Sequence, residues 1–206
     1  GYTGYNHLRD YFEHGEKAGR IFLGLKDKYD LDELNAYIKP ERDLQFTYLG
    51  IKTLYDRYLI KNSKGEPIEL PQQMFMAIAM FLAQNELDSM GWAKKFYDLI
   101  SKFEVMLATP TLSNARTTRH QLSSCYVGSA PDNIEGIFDS YTEMALLSKF
   151  GGGIGWDWCN VRAMGGSIDG HKNAAGGVVP FLKIANDIAV AVDQLGTRKG
   201  AISVYI

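Results

Sequence analysis

Cys125 stands within the run Leu122-Ser123-Ser124-Cys125-Tyr126-Val127, a thiol directly after two hydroxyls in a stretch that reads as β. A cysteine in a strand is ordinarily an inert buried hydrophobe; a reactive one needs an accessible edge and a partner thiol for two-electron exchange. Cys159 is the one other cysteine in the sequence. It follows Trp158 on a second expected strand, and spacing alone does not bring the two within bridging range. Upstream, Thr109-Pro110-Thr111-Leu112-Ser113-Asn114-Ala115 sets hydroxyls around a helix-breaking proline where the helical texture ends. That is turn and cap chemistry, or a set of donors for a phosphate.

Glycine carries the other candidates. Phe150-Gly151-Gly152-Gly153-Ile154-Gly155-Trp156 follows a helix ending in Lys149, and it fits either a helix C-cap with tight packing or a backbone bared for a ligand. Neither G-x-G-x-x-G nor G-x-x-x-x-G-K-[ST] occurs, so neither a dinucleotide fold nor a P-loop is indicated. Two further loops, Arg162 to Gly170 and Gln194 to Gly200, mix cations with glycine. Cations beside exposed N–H groups suit a polyphosphate, and a solvated surface loop is the plain alternative.

The elements that must position these residues fall into two textures. Residues 1 to about 106 read as helical. Leu44, Tyr48, Ile51, Tyr55 and Tyr58 recur at helical spacing and predict one buried face. A second helix is expected from Pro71 with Phe75, Ile78 and Leu82, and a third, capped by Asp88 or Ser89, with Trp92, Phe96, Leu99 and Phe103. Lys61 to Pro67 is a turn-rich connection. From residue 107 to 206 the grammar is α/β, with β-like runs at Leu122–Gly128, Ile154–Trp158 and Ala201–Ile206. Helices are expected over 134–149 and 178–192, the first with Ile134, Ile137, Phe138, Tyr141 and Ala145 on one face.

Composition narrows the function classes. In 206 residues, 22 Lys and Arg stand against 24 Asp and Glu, so no basic excess points to nucleic acid or an anionic membrane. With 46% hydrophobic and 22% charged residues the chain resembles an ordinary globular protein, and no apolar run approaches the ~20 residues that span a bilayer. Two cysteines exclude a disulfide scaffold, and with four scattered histidines they make no tetrahedral zinc site, so no metal is expected. A cytoplasmic setting is expected, because the first residues lack the regions of a signal peptide. The chain opens without Met and ends inside a β-rich run, the pattern expected of an excerpt or of one piece of a split protein.

The order of these motifs is specific: the Thr-Pro-Thr-Leu turn, Gln-Leu-Ser-Ser-Cys, a helix ending Ser-Lys, Gly-Gly-Ile-Gly, an Arg-containing loop, then Asp-Gln-x-Gly-x-Arg before a strand. It resembles the large subunit of class I ribonucleotide reductase. The likeness extends upstream through Glu41-Arg42-Asp43-Leu44-Gln45-Phe46-Thr47-Tyr48 and so covers essentially the whole chain. The resemblance implies a helical N-terminal region followed by the first strands and helices of a ten-stranded α/β barrel. It implies radical reduction of nucleoside diphosphates to deoxynucleotides, with Cys125 as one of two cysteines that deliver electrons and become a disulfide. Thr109, Ser124, Cys125, Gly152 and Gly153 match the substrate site, where hydroxyls and backbone N–H groups would meet the nucleoside diphosphate.

By the same resemblance Asp132, Lys149, Arg162, Ile168 and Asp169 match an effector site that takes a deoxynucleoside triphosphate or ATP. Asp132 would accept from the sugar hydroxyl, while Lys149 and Arg162 would face the phosphates. Gln194, Gly196, Arg198 and Lys199 match the loop that relays effector identity to the substrate. Helices 134–149 and 178–192 resemble the pair that builds an isologous homodimer. The other partners implied are a radical-generating small subunit, which supplies the radical and its metal, and thioredoxin or glutaredoxin as reductant. No cofactor is expected to be bound by this chain itself. The family's radical-bearing cysteine, its second redox cysteine and its C-terminal cysteine pair match nothing in the sequence, and Cys159 matches no functional cysteine. The 206 residues alone are therefore expected to be inactive. The rival readings are a cobalamin-dependent reductase and a non-catalytic nucleotide-binding dimerisation module, which trapping Cys125 with thioredoxin would separate.

Overall fold

The computed structural model describes residues 4–149, 152–192 and 201–206. It forms two compact units, Gly1–Leu122 and Ser123–Ile206. The division falls at Leu122 and not near residue 106, where the composition changes, because the intervening Thr109-Pro110-Thr111-Leu112-Ser113-Asn114 is helical. Proline within the first turn of a helix costs nothing, since its missing N–H is one of the unpaired donors there. The stretch expected as a turn is thus a short helix tied into the first unit.

That unit holds α1 (Leu8–Lys17), α2 (Leu31–Tyr37), α3 (Tyr48–Arg57), α4 (Pro71–Ala83), α5 (Ser89–Ser101) and α6 (Thr109–Asn114). The centre is α4, buried on nearly every side and packed along α5. Asp88 caps α5 by accepting from the Gly91 amide at 2.9 Å. The buried face of α5 is Ala93, Tyr97 and Ile100, one residue round from the expected Trp92, Phe96 and Leu99. Three of the residues expected on one buried face are exposed, Leu44 at 81%, Tyr48 at 80% and Tyr55 at 47%, and the chain breaks between the first two at a 3-10 helix ending in Gln45. The helix proper restarts at the Thr47 cap and buries Leu54 instead. After α5, Phe103 takes φ of 60°, a left-handed position usually left to glycine, with its ring against Phe46 and Phe75 at 5.0 and 6.4 Å.

Beneath α4 lies a buried polar knot. Arg116 and Glu69, 0% and 2% exposed, pair through both carboxylate oxygens. Tyr11 donates to Glu69 at 2.7 Å, and the Ile60 amide donates to the same carboxylate at 2.7 Å. Burial, with the Glu69 charge behind it, holds the Tyr11 phenol well above its usual range, so it stays a donor.

The second unit is a three-stranded parallel sheet, β1 (Cys125–Ser129), β2 (Gly153–Asp157) and β3 (Ala201–Tyr205), in the order β1-β2-β3. Two helices, α7 (Ile134–Lys149) and α8 (Val179–Ala191), alternate with the strands. Their bounds follow the apolar periodicity closely. Tyr141, Met144, Ile154, Trp156, Trp158 and Ala185 form the core, and the Tyr141 hydroxyl donates to the Phe181 carbonyl at 2.8 Å. Register pairs Cys125 with Gly153 and Ser129 with Asp157. The sheet is open, and among the described residues no helix is long and apolar enough to cross a membrane.

Candidate functional site

In the second unit, Asp132 follows β1 and Arg162 follows β2, so the parallel sheet delivers both to the ends of neighbouring strands. The Asp132 carboxylate accepts from the Arg162 amide at 3.0 Å and from Nε at 3.1 and 2.9 Å. Those bonds, the side-chain one foremost, hold the Asp132 carboxyl below its usual range. Arg162 Nη1 then donates to the Ser167 carbonyl at 2.8 Å, tying the loop back onto its own stem.

The loop turns at Asp169-Gly170, whose φ values are 50° and 81°. Ile168 and His171 exchange backbone hydrogen bonds of 3.1 and 2.8 Å across them. Two central residues at positive φ make a type I′ turn, for which Asp-Gly is a preferred pair. The dipeptide was a readable hairpin signal inside a segment that composition alone presents as a loose glycine loop.

Asp132, Arg162, Ile168 and Asp169 all line one cavity of about 420 Å³, walled also by Ile134, Ile137 and Phe181. The structure therefore brings together four of the five residues expected at an effector site. It does not bring Lys149 there. Lys149 ends α7, the helix whose first residue Ile134 lines the cavity, and 16 residues at 1.5 Å each put the two ends about 24 Å apart. The relay residues Gln194, Gly196, Arg198 and Lys199 lie outside the described residues.

At the other end of the sheet, Cys125 opens β1 and is exposed, not buried as a strand cysteine ordinarily is. The Ser124 hydroxyl donates to its sulfur at 3.7 Å. The Gly153 amide donates to the Ser124 carbonyl at 2.9 Å and the Gly152 amide to the Leu147 carbonyl at 3.3 Å. Both amides expected to meet a substrate are thus engaged within the protein. The glycines serve packing instead: a Cβ at Gly152 would stand 2.7 Å from the Tyr126 ring and 3.1 Å from the Leu147 carbonyl. Thr109 belongs to the first unit, at the start of α6, where its hydroxyl meets that of Tyr58 at 3.2 Å.

Asp157, which ends β2, stands four strand steps or about 13 Å along the sheet from the level of Cys125, and Cys159 follows it in a turn at that far end. That exceeds the reach of a disulfide. Its thiol is pushed up by the adjacent Asp157 carboxylate, which also accepts from the Cys159 amide at 2.9 Å.

Sequence reasoning missed two features, the Glu69–Arg116 pair and the Ser129, Asp157, Asn160 cluster, where the Asn160 amide donates to Ser129 at 2.9 Å. Neither has a local signal, because each joins residues far apart in the chain.

Residues 44–120 match the family model described as ribonucleotide reductase, all-alpha domain, and residues 123–206 the one described as ribonucleotide reductase, barrel domain. Ribonucleoside-diphosphate reductase subunit alpha of Helicobacter pylori is 70% identical over 206 residues, covering 100% of this chain and 26% of that protein. The subunit of the same name from Treponema pallidum is 46% identical over 195 residues, 93% of this chain and 23% of the relative. The large subunit of Monkeypox virus is 40% identical over 196 residues, 94% and 25% of the two chains. The chain thus spans about a quarter of the length of the curated relatives it matches.

Proposed function

Because the chain belongs to the ribonucleotide reductase large-subunit family, we propose that it forms part of a ribonucleoside-diphosphate reductase whose substrate preference is set by a bound nucleotide. The observation that carries this reading is its likeness, along its full length, to proteins named as alpha subunits of that enzyme. Cys125 is the redox thiol. In each turnover it and a second thiol outside this chain give up two electrons and two protons; the 2′-hydroxyl leaves as water, and a disulfide forms between the two sulfurs. The disulfide is reduced back by dithiol exchange, with the two electrons supplied by thioredoxin or glutaredoxin. Ser124, Gly152 and Gly153 form part of the substrate floor, the glycines through their close packing and not through their amides, and Thr109 in the first unit is read separately as a substrate contact.

The effector cavity is the one lined by Asp132, Arg162, Ile168 and Asp169. Its cation, its carboxylates and its apolar wall suit a nucleoside triphosphate, with ATP or a deoxynucleotide as occupant. The homodimer forms through α7 and α8, a reading supported by the exposed Ile134, Phe138, Leu146, Val179, Ile184 and Val190. A small subunit supplies the radical and its metal, and the 206 residues alone do not turn over.

The test is Cys125→Ser in the complete large subunit with its small subunit, assayed for CDP reduction by thioredoxin. The expected outcome is loss of multiple turnover with dTTP binding retained. Undiminished steady-state turnover would remove Cys125 from the redox pair, and dTTP binding without any reduction by the unsubstituted enzyme would favour a non-catalytic nucleotide-binding module.

A further inference from the structure

We infer that Tyr58 is a positioning residue for the hydroxyl of Thr109, anchored by the buried pair of Glu69 and Arg116; the inference rests on the reading of Thr109 as a substrate contact. Tyr58 caps the end of α3, its amide donating to the Leu54 carbonyl at 2.9 Å. Its own carbonyl accepts from Arg116 Nη2 at 2.9 Å. The same guanidinium donates through Nη1 to the Leu112 carbonyl in α6 at 2.6 Å and pairs with Glu69. One fully buried cation therefore fixes the end of α3 and the body of α6 in a single geometry.

From that fixed backbone the Tyr58 side chain reaches the other end of α6, where its hydroxyl lies 3.2 Å from Thr109 Oγ1. Both residues line a cavity of about 610 Å³ whose wall nearby is apolar, with Phe75, Leu107 and Leu112 among its members. A threonine at the first position of a helix has no obligatory partner for its hydroxyl, so its rotamer is set by what it meets. The direction of the bond matters. A phenol is the more acidic of the two hydroxyls and the better donor. With Tyr58 donating, the Thr109 proton is left for a phosphate or sugar oxygen of the nucleotide.

The geometry separates two roles that a single deletion would mix. Arg116 holds the Tyr58 backbone, whereas the phenolic oxygen makes the hydrogen bond to Thr109. Tyr58→Phe therefore keeps the anchor and removes the positioning contact. In the complete enzyme it is expected to raise KM for CDP by about three- to tenfold, the range for one lost hydrogen bond, with kcat and the urea midpoint unchanged. Thr109→Val is expected to raise KM at least as far, and Thr109→Ser to restore it. The double variant Tyr58→Phe with Thr109→Val is expected to be no worse than Thr109→Val alone.

Each other result overturns something identifiable. If Thr109→Val raises KM and Tyr58→Phe does not, the positioning role fails while Thr109 remains a substrate contact. If the two effects add in the double variant, Tyr58 acts apart from Thr109 and the inference fails. A lower urea midpoint with KM unchanged would make Tyr58 merely structural. An unchanged KM in Thr109→Val removes Thr109 from the site and the role of Tyr58 with it.

Discussion

The carboxylate of Asp132 accepts from both the backbone amide and the Nε of Arg162, so the residue expected to read a sugar and the residue expected to meet phosphates are hydrogen-bond partners of each other. The pairing orients the guanidinium. With Nε on the Asp132 carboxylate, one Nη1 proton on the Ser167 carbonyl and one Nη2 proton on the Asp132 carbonyl at 3.4 Å, the second proton on each Nη is left for an anion in the cavity. Arg162→Ala is expected to weaken dTTP binding by about 1.5–3 kcal/mol, the range for a hydrogen bond to a charged group. Calorimetric titration of the complete large subunit checks this, and an unaltered affinity would remove Arg162 from the effector site. Both side chains of the pair are more than a third exposed, so its own contribution to folding stability is expected to be small.

The same contact sets a pH dependence. Arg162 lowers the Asp132 carboxyl in the folded chain relative to the unfolded one. The stabilisation it gives is thus fully present above the unfolded value, about 3.9, and is lost as pH falls through the lowered folded value. Amide hydrogen exchange over residues 162–170 is expected to be unaffected by this group from neutral pH down to about 5, once corrected for intrinsic rates, and to rise only in the acid range. Loss of protection near neutral pH would assign the anchoring of the loop to another group.

Gly170 isolates the turn from the contacts. It sits at φ 81° with nothing within 4 Å of where a Cβ would stand, so Gly170→Ala adds backbone strain and no clash. The left-handed conformation costs an ordinary residue about 1–2 kcal/mol. If the hairpin shapes the effector cavity, that cost is expected to appear as a dTTP affinity weakened about 5- to 30-fold. An affinity unchanged by Gly170→Ala would show that nucleotide binding does not need the type I′ turn.

Oxidation tests the placement of the two thiols. The length of β2, about 13 Å, separates the sheet end that holds Cys125 from the turn that holds Cys159, so air or diamide is expected to produce no bridge between them within one chain. Peptide mass mapping under non-reducing conditions reads this directly. Under a limiting thiol reagent Cys125 is expected to be modified ahead of Cys159, whose thiol Asp157 pushes up and so keeps protonated. A bridged peptide joining the two would require the register of β1 on β2 to be wrong.

What the sequence made legible was the part governed by local periodicity. The span 134–149 is α7 to the residue, because its apolar spacing and flanking turn residues agree. The faces of α3 and α5 were not legible in the same way. In α5 both Trp92-Phe96-Leu99 and Ala93-Tyr97-Ile100 satisfy helical spacing, and the choice falls to α4, whose packing takes the second set. Four of the five residues expected at an effector site converge because parallel strands put residues that follow them side by side, which α/β grammar implies without giving the register. The amides of Gly152 and Gly153 show the reverse: glycine content suggests an open backbone, and only the structure shows those N–H groups already spent.

The buried pair of Glu69 and Arg116 had no signal at all, since its partners lie 47 residues apart and neither stands in a motif. Its stability consequence is large for that same reason of burial. Removing one partner leaves the other charged with no water to solvate it, which costs about 3–5 kcal/mol. Glu69→Met and Arg116→Met are each expected to lower unfolding free energy in urea by about that amount. The double variant Glu69→Met with Arg116→Met leaves no orphan charge, and it is expected to recover part of the loss. The Tyr11 hydroxyl and the Ile60 amide still lose their acceptor there, so recovery stays incomplete. If the double variant is as unstable as the sum of the singles, the carboxylate matters as an acceptor for Tyr11 and Ile60 more than as the counter-ion of Arg116.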